Sequence, residues 1–194
     1  IPVFFNFSKK DYFIKNALIK NYSINLDSYT NIKYSFLPSP RIKITKANLN
    51  IKDQTIKQDI NNLVLLVSLV DLYNLEKLKI KKIILNKSRF SLEIKNYKEF
   101  LHYIKSLKKT IVVKNSDISF KNLNKKIFTI KNVNFDNSNL NKLLLSGLLF
   151  EKKFILKFSE NSKKKHLLVN MPKIGSKTDI FFSKDSNIQA YKGK

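Results

Sequence analysis

Apolar residues recur at every second position along most of this chain, which is the spacing of β-strands with one apolar face. The stretch from residue 75 to residue 94 gives the clearest example, although one step in it, from Ile80 to Ile83, spans three residues. Such a step moves the apolar side chains to the other face unless a bulge or bend absorbs the extra residue. We therefore predict a long, bent strand pair here, with this apolar set: Leu78, Ile80, Ile83, Leu85, Phe90, Leu92 and Ile94.

The same steps of two, three and two residues recur twice more in the sequence. Within Arg41–Ile51, these steps separate the successive apolar residues Ile42, Ile44, Ala47 and Leu49. They also relate another set of four: Phe128, Ile130, Val133 and Phe135. Three occurrences at unequal intervals predict a repeated strand–bend–strand unit instead of a solenoid of fixed period.

Helical spacing interrupts this pattern at two places, each behind a capping-box motif. The first helix is predicted over residues 9–20, with Ser8 and Asp11 as its capping-box residues. This helix either plugs the end of a sheet or lies on a membrane surface. Asn96 and Glu99 open the second, over residues 97–107, and a helical turn is expected near residue 70. Further strands are predicted over residues 24–26, 32–36, 41–51, 62–68, 110–113, 117–120, 127–135, 143–150, 153–158, 167–171 and 179–183.

These elements predict a mainly β fold with two short helices, an α+β arrangement with one helix near the N-terminus and one mid-chain. We expect a long twisted antiparallel sheet curled into a groove. Pro38 and Pro40 cannot donate to a strand ladder, so they are expected at an edge or corner. Gly147 lies inside an apolar run, where it marks a bulge or kink or else the close approach of a ligand.

The chain is strongly basic, with a formal net charge of +24, yet its 43% hydrophobic content is that of a folded protein. Such a charge is typical of nucleic-acid binding and would also attract anionic lipid surfaces. Two observations weaken the first interpretation. Only Arg41 and Arg89 are arginine, and lysine is spread through nearly every segment, as an AT-rich coding sequence would give by itself. A selected basic surface and a composition bias both remain open.

Cysteine is absent, which excludes disulfides and thiolate metal sites. The longest apolar run, Leu63 to Val70, is far shorter than the about 20 residues that cross a bilayer. No signal peptide is visible. The opening segment from Ile1 to Phe5 is either the tail of an apolar segment or an ordinary first strand, and a fragment of a longer chain is plausible.

Candidate catalytic and metal-binding groups are scarce in the sequence. His102 and His166 lack a nearby carboxylate or second histidine at ligand spacing, and the glycines form no phosphate-binding loop. Four separated carboxylates, which we expect to pair with lysine, are Asp53, Asp59, Asp71 and Glu76. We therefore predict no catalytic residue, no metal and no cofactor, hence a protein that is not an enzyme.

Aromatic residues interleaved with lysine could form a stacking platform for single-stranded nucleic acid. Most of them, however, are in phase with isoleucine and leucine on the apolar face. We expect core or groove lining for these residues: Phe90, Phe120, Phe128, Phe135, Phe150, Phe154 and Phe158.

The order of these pieces resembles the N-terminal part of the AsmA family of bacterial envelope proteins. The likeness rests on the N-terminal helix and on several later segments. These segments are LPSPRIKITKANLNI, LVLLVSLVDLYNLEKLKIKKIIL, NYKEFLHYIKSL, TIVVKNSDISFKN, FTIKNVNFDN and LLLSGLLFEKKFILKFS. It covers roughly residues 9–159, so we divide the chain into an AsmA-like region, 1–159, and a part that continues the sheet or is its truncated end, 160–194.

The resemblance implies a non-enzymatic protein on the periplasmic side of the bacterial inner membrane, anchored by a segment upstream of Ile1. It implies that an apolar β-groove holds or conducts the acyl chains of phospholipid or another lipid, supporting outer-membrane assembly and lipid homeostasis. The alternatives are a basic RNA-binding or ribosome-associated protein and a structural adaptor. The residues expected to line the groove are Ile42, Ile44, Leu49, Leu78, Ile80, Ile83, Leu85, Phe90, Leu92, Ile94, Phe128 and Ile130.

Overall fold

A computed structural model describes residues 10–51, 57–73, 75–106, 109–139, 141–160, 164–184 and 191–193. Its main element is one sheet of 12 strands, which confirms the prediction of a mainly β fold. The α-helices are α1 (Lys10–Tyr22), α2 (Leu69–Tyr73) and α3 (Tyr97–Ser106). The strands are β1 (Ile24–Ser28), β2 (Asn31–Ser35), β3 (Arg41–Ile51), β4 (Lys57–Leu66), β5 (Lys82–Glu93), β6 (Thr110–Asn122), β7 (Lys125–Asn139), β8 (Lys142–Leu149), β9 (Lys152–Glu160), β10 (Lys164–Met171), β11 (Ser176–Lys184) and β12 (Tyr191–Gly193).

The strands follow one another across the sheet in chain order, except that β2 pairs only with β3, beside β1. Every pair is antiparallel apart from β5 and β6, which are parallel because α3 returns the chain to the start of β5. The sheet is therefore antiparallel, as predicted, apart from this one pair. In the described part of the chain β1 and β12 do not pair, so the sheet is open, and residues 164–184 continue it beyond β9.

A line of left-handed residues crosses the sheet where the apolar spacing takes its three-residue step. They are Lys46, Lys87, Asn115 and Asn132, in β3, β5, β6 and β7, with φ between 47° and 52°. Neighbouring strands have their three-residue step at matching positions. Pairing therefore resumes beyond the step with the apolar side chains still on one shared face of the sheet. We call this the bend line, since an extra residue with left-handed φ bends a strand and increases its twist.

The bend line confirms the predicted bends near Ala47 and Val133 and corrects the predicted strand pair at residues 75–94. One strand, β5, is present there, and its extra residue lies at Lys87 instead of between Ile80 and Ile83. Leu78 and Ile80 precede the strand and are buried against the sheet. Ile94 follows the strand in a short 3₁₀ turn and is exposed.

Other boundaries also differ from the predicted ones. The expected strands at residues 110–113 and 117–120 form the single strand β6, because the bend line passes between them without ending the ladder. The strand expected at residues 62–68 begins earlier, at Lys57. Pro38 and Pro40 lie in the turn between β2 and β3, as predicted. The segment from Ile1 to Phe5, and Asp53, are outside the described residues.

The main core lies where α1 packs on one face of the first strands, which we call the inner face. Ile14 and Leu18 of α1 are fully buried in one cluster with Ile44 and Leu63. The Tyr22 hydroxyl donates to the Thr110 carbonyl oxygen at 3.4 Å, and the Tyr103 hydroxyl of α3 donates to the Tyr22 carbonyl oxygen at 2.7 Å. These bonds connect both longer helices to the start of β6.

Candidate functional site

One row of directly paired side chains follows the inner face from β3 to β10. Its members are all apolar, which is the pattern of a sheet face kept away from water. The row consists of Ile44, Leu63, Leu85, Val113, Phe135, Leu145, Leu156 and Val169.

Burial along this row changes although its chemistry does not. Ile44 is 1% exposed and Val113 is 9% exposed, whereas the four residues from Phe135 onward are only partly buried. Within the described residues, the fully buried members of the main core come from residues 14–113, so α1 and its neighbours cover the first part of the inner face. The later strands continue the same apolar face, on which Val133 and Phe154 are also buried but most side chains are only partly so.

We call the partly exposed part of the inner face the open strip. Each of its side chains shares the face of the row described above, by cross-strand pairing or by two-residue spacing along its strand. An apolar face of this extent is typical of a site for an apolar ligand or partner. The open strip consists of Phe120, Phe128, Ile130, Phe135, Leu143, Leu145, Leu149, Leu156, Phe158, Leu167, Val169 and Ile180.

The structure divides the residues that the sequence suggested as groove lining. Phe128 and Ile130 belong to the open strip, Phe90 packs partly buried against the core, and Ile94 is 38% exposed. The other eight are at most 6% exposed and lie under the helical cover or near it: Ile42, Ile44, Leu49, Leu78, Ile80, Ile83, Leu85 and Leu92.

The aliphatic members of the open strip that come from β8 to β11 were missing from the lining that sequence reasoning suggested. The signal was present, because β8 to β11 alternate as clearly as the earlier strands do, with Leu143, Leu145 and Leu149 in β8 as an example. Alternation marks a one-sided strand but does not say which one-sided strands a helix covers. Only the position of α1 distinguishes the two halves of the face.

Gly147 lies beside the point where the bend line ends, because β8 has no extra residue to match Asn132 in β7. A Cβ atom at Gly147 would lie 3.1 Å from the Lys131 carbonyl oxygen, 3.1 Å from Ile130 Cγ2 and 3.3 Å from Phe154 Cε1. Of the two roles left open for Gly147, the structure places a bulge at this site, and it lies in the opposing strand. The glycine lets that bulged strand approach closely.

An aromatic cluster ends the open strip at the turns of two hairpins. The Phe120 and Phe128 rings stack with centroids 4.6 Å apart, and the Phe150 ring centroid is 6.2 Å from that of Phe128. Phe150 was expected in the core or the groove lining, but it occupies the turn between β8 and β9 with a left-handed φ of 48° and is 74% exposed. The open strip therefore continues to an exposed edge.

The outer face of the sheet combines lysine and other polar side chains with apolar ones such as Leu144, Leu168 and Phe181. The Lys131 ammonium lies 2.6 Å from the Glu151 carboxylate, and this hydrogen bond raises the pKa of Lys131. On β10, His166 stacks on the Phe181 ring with centroids 4.4 Å apart and bonds to the Asp179 carboxylate. The pairing of β10 with β11 thus supplies the carboxylate that the local sequence around His166 lacks. The side chain of His102 is outside the described residues.

A shallow concavity of about 490 Å³ lies on this outer face beside His166, between β7 and β10. Its lining includes Leu144 and Leu168 together with Lys142 and Lys157. Its lining also includes Leu143 and Phe158 of the open strip. Among the described residues no cluster of three or more His, Asp or Glu side chains could hold a metal ion.

None of the helices described for this chain has the length and apolar content needed to cross a membrane. Comparisons with protein-family models, curated proteins and solved structures gave no match to this chain. The resemblance to the AsmA family therefore remains a prediction from the sequence.

Proposed function

We propose that this chain is a non-enzymatic lipid-holding protein of the cell envelope, in which the open strip shields acyl chains from water. The observation that carries the proposal is the row from Ile44 to Val169, which stays apolar after its cover ends. A sheet that needed no ligand would gain solubility from polar side chains at these positions. Their absence indicates that something apolar covers the strip.

Acyl chains suit the open strip because they need no specific polar partner. Removing a methylene group from water contributes about 0.8 kcal/mol, so several methylenes along a chain suffice for binding. The strip is lined by aliphatic and phenyl groups and offers no buried charge that would select a head group. We therefore expect broad selectivity among phospholipids and fatty acids of similar length.

The cellular setting of the proposal follows from the AsmA resemblance. We propose an inner-membrane protein that faces the periplasm, is anchored by a segment upstream of Ile1, and supports outer-membrane assembly and lipid homeostasis. The sheet from β1 to β12 would then be one section of a groove along which lipid is held or conducted.

RNA binding or ribosome association is the alternative, favoured by the net charge of +24. A stacking platform needs aromatic faces interleaved with basic groups. The open strip instead surrounds Phe135 and Phe158 with leucine and isoleucine, while the lysines lie mainly on the outer face and at the turns. An adaptor that packs this strip against another protein is the remaining candidate.

The proposal is tested by titrating delipidated protein with a fluorescent fatty acid, without vesicles, in low and high salt. Leu145→Glu places a charge in the open strip, and Leu144→Glu makes the same change one residue away on the outer face, where Leu144 is 44% exposed. We expect saturable binding, at least tenfold weaker for Leu145→Glu and unchanged for Leu144→Glu, with little dependence on salt. Circular dichroism checks that both variants fold, and Leu156→Asn serves as a second, milder variant of the strip.

Absence of saturable binding, or equal losses for the two glutamate variants, would refute the proposal. Binding of RNA that weakens steeply with salt would favour the alternative, because each released counterion contributes to the slope. A stable protein complex that contains no extractable lipid would identify the adaptor.

A further inference from the structure

Four large apolar side chains are exposed at one end of the sheet, in turns between strands or close to them. Leu123 is 80% exposed in the turn after β6, and Phe150 is 74% exposed in the turn after β8. Ile127, near the start of β7, is 52% exposed, and Ile174, in the turn after β10, is 46% exposed. Exposing such groups to water is unfavourable, and their grouping at turns is not needed to form the hairpins.

Strand register places these turns side by side at the same end of their strands. Ile130 pairs with Leu149, so the β6–β7 hairpin extends past the turn that holds Phe150 by about five residues, or ~17 Å. Ile155 pairs with Asn170, so the turn after β10 does not reach as far as the turn that holds Phe150. The three turns therefore form one slanted edge, which we call the hairpin edge.

Lysines surround the apolar tips of the hairpin edge. Lys121 lies directly opposite Lys126 across the β6–β7 hairpin, a like-charge pair that destabilises the hairpin unless an anion lies nearby. Three carboxylates of this region are engaged: Glu93 accepts from the Asn124 backbone N–H at 3.3 Å, Glu151 pairs with Lys131, and Asp179 lies 3.8 Å from the Lys177 ammonium. The exposed lysines of the edge are Lys125, Lys126, Lys152, Lys153, Lys173 and Lys177.

We propose that the hairpin edge docks on an anionic phospholipid bilayer, with Leu123, Phe150 and Ile174 in the interfacial region and the surrounding lysines against lipid phosphates. Apolar tips ringed by basic groups match the two layers of such a surface. A second copy of this chain would bring lysine against lysine. RNA fits less well, since only Phe150 among the tips can stack on a base and neither Arg41 nor Arg89 lies at this edge.

Docking at this edge would bring the open strip to the membrane surface. Phe150 lies beside Phe128, which stacks on Phe120 at the end of the strip, so an apolar path connects the tips with the inner face. Membrane docking does not depend on whether the open strip holds lipid. The two proposals can therefore fail separately.

Vesicle co-sedimentation of the full chain tests the docking, with phosphatidylcholine vesicles compared with vesicles in which one lipid in three is phosphatidylglycerol. The edge variant is Leu123→Asn with Phe150→Asn. Its matched control is Leu37→Asn with Phe181→Asn; Leu37, in the turn between β2 and β3, is 82% exposed, and Phe181, on β11, is 53% exposed. We expect partitioning that requires phosphatidylglycerol, falls at least tenfold in the edge variant and changes less than twofold in the control.

The electrostatic part is tested by a second matched pair. Lys121→Gln with Lys126→Gln removes the opposed pair at the edge, and Lys33→Gln with Lys43→Gln removes another opposed lysine pair, between β2 and β3. We expect at least threefold weaker partitioning for the first change and a smaller effect for the second. Since the chain has no cysteine, Leu123→Cys gives a unique site for an environment-sensitive dye.

The dye at position 123 should shift to shorter wavelength on vesicle binding, whereas the same dye at Lys33→Cys should not. Equal losses in the edge and control variants, or a dye at position 123 that stays in water, would overturn the proposal. Binding of poly-uridine that depends on Leu123 and Phe150 more than vesicle binding does would also overturn it and assign the edge to nucleic acid. Leu145→Glu should leave vesicle partitioning intact, which separates this result from the fatty-acid assay.

Discussion

Replacing Gly147 by alanine is the sharpest test of how β7 and β8 pack at the end of the bend line. The added Cβ would meet the Lys131 carbonyl oxygen at 3.1 Å, a backbone atom held by the bulge, as well as Ile130 Cγ2 and Phe154 Cε1. Such overpacking costs about 1–3 kcal/mol. Alanine also has less backbone freedom than glycine in the unfolded chain, and this stabilises the folded state by about 0.5–1 kcal/mol. We expect a net destabilisation of about 1–2 kcal/mol.

Urea unfolding followed by circular dichroism measures this change, and a thermal melt should fall by about 2–8 °C for a chain of this size. Ser146→Ala is the control, because Ser146 precedes the glycine in the same strand with its side chain on the outer face. Gly147→Val should cost more than Gly147→Ala, since it adds two further carbons at the same contacts. A Gly147→Ala protein as stable as the parent would show that β7 does not approach β8 this closely.

Two further predictions concern the helical cover and its limit. Burial raises the pKa of Tyr22 and of Tyr103 above the value of about 10 expected in the unfolded chain, so stability is complete below pH 10 and declines above it. Unfolding free energies measured in urea from pH 9 to 11 should fall less steeply for Tyr22→Phe than for the parent protein. Tyr12→Phe, which alters a side chain that is 66% exposed, should fall as steeply as the parent. Equal slopes for all three proteins would contradict the burial of Tyr22. Ile44→Ala should cost about 2–5 kcal/mol, as expected for a core residue, and Leu145→Ala at most about 1 kcal/mol. Equal losses in the same urea assay would mean that the open strip is covered.

The two halves of the inner face differ in what they contribute. Under α1 the sheet behaves as an ordinary core, in which Ile44 and Leu63 exclude water together with Ile14 and Leu18. Beyond β6 the same face is less covered: Val133 and Phe154 are still buried and Phe135 packs against the main core, but side chains such as Leu145 and Leu156 are only partly buried. The covered half stabilises the fold, and the open half is where ligand binding is proposed.

Local spacing was sufficient to predict the character of the fold and several of its elements. Alternation identified the one-sided strands, and capping-box residues located α1 and α3, because both signals depend on residues close in sequence. The three-residue steps also indicated the bends at Ala47 and Val133. The step between Ile80 and Ile83 misled the prediction, since a short segment packed in the core has the same apolar spacing as a strand.

Tertiary structure alone decided which apolar residues are core and which are open. The sequence determined that Ile44 and Leu145 face the same side of a sheet, because side-chain direction follows the backbone period. Whether a helix covers either residue depends on packing between elements far apart in the chain, which spacing does not encode. The same holds for the carboxylate beside His166, the parallel pairing of β5 with β6, and the hairpin edge, where strand register alone brings Leu123, Phe150 and Ile174 to one side.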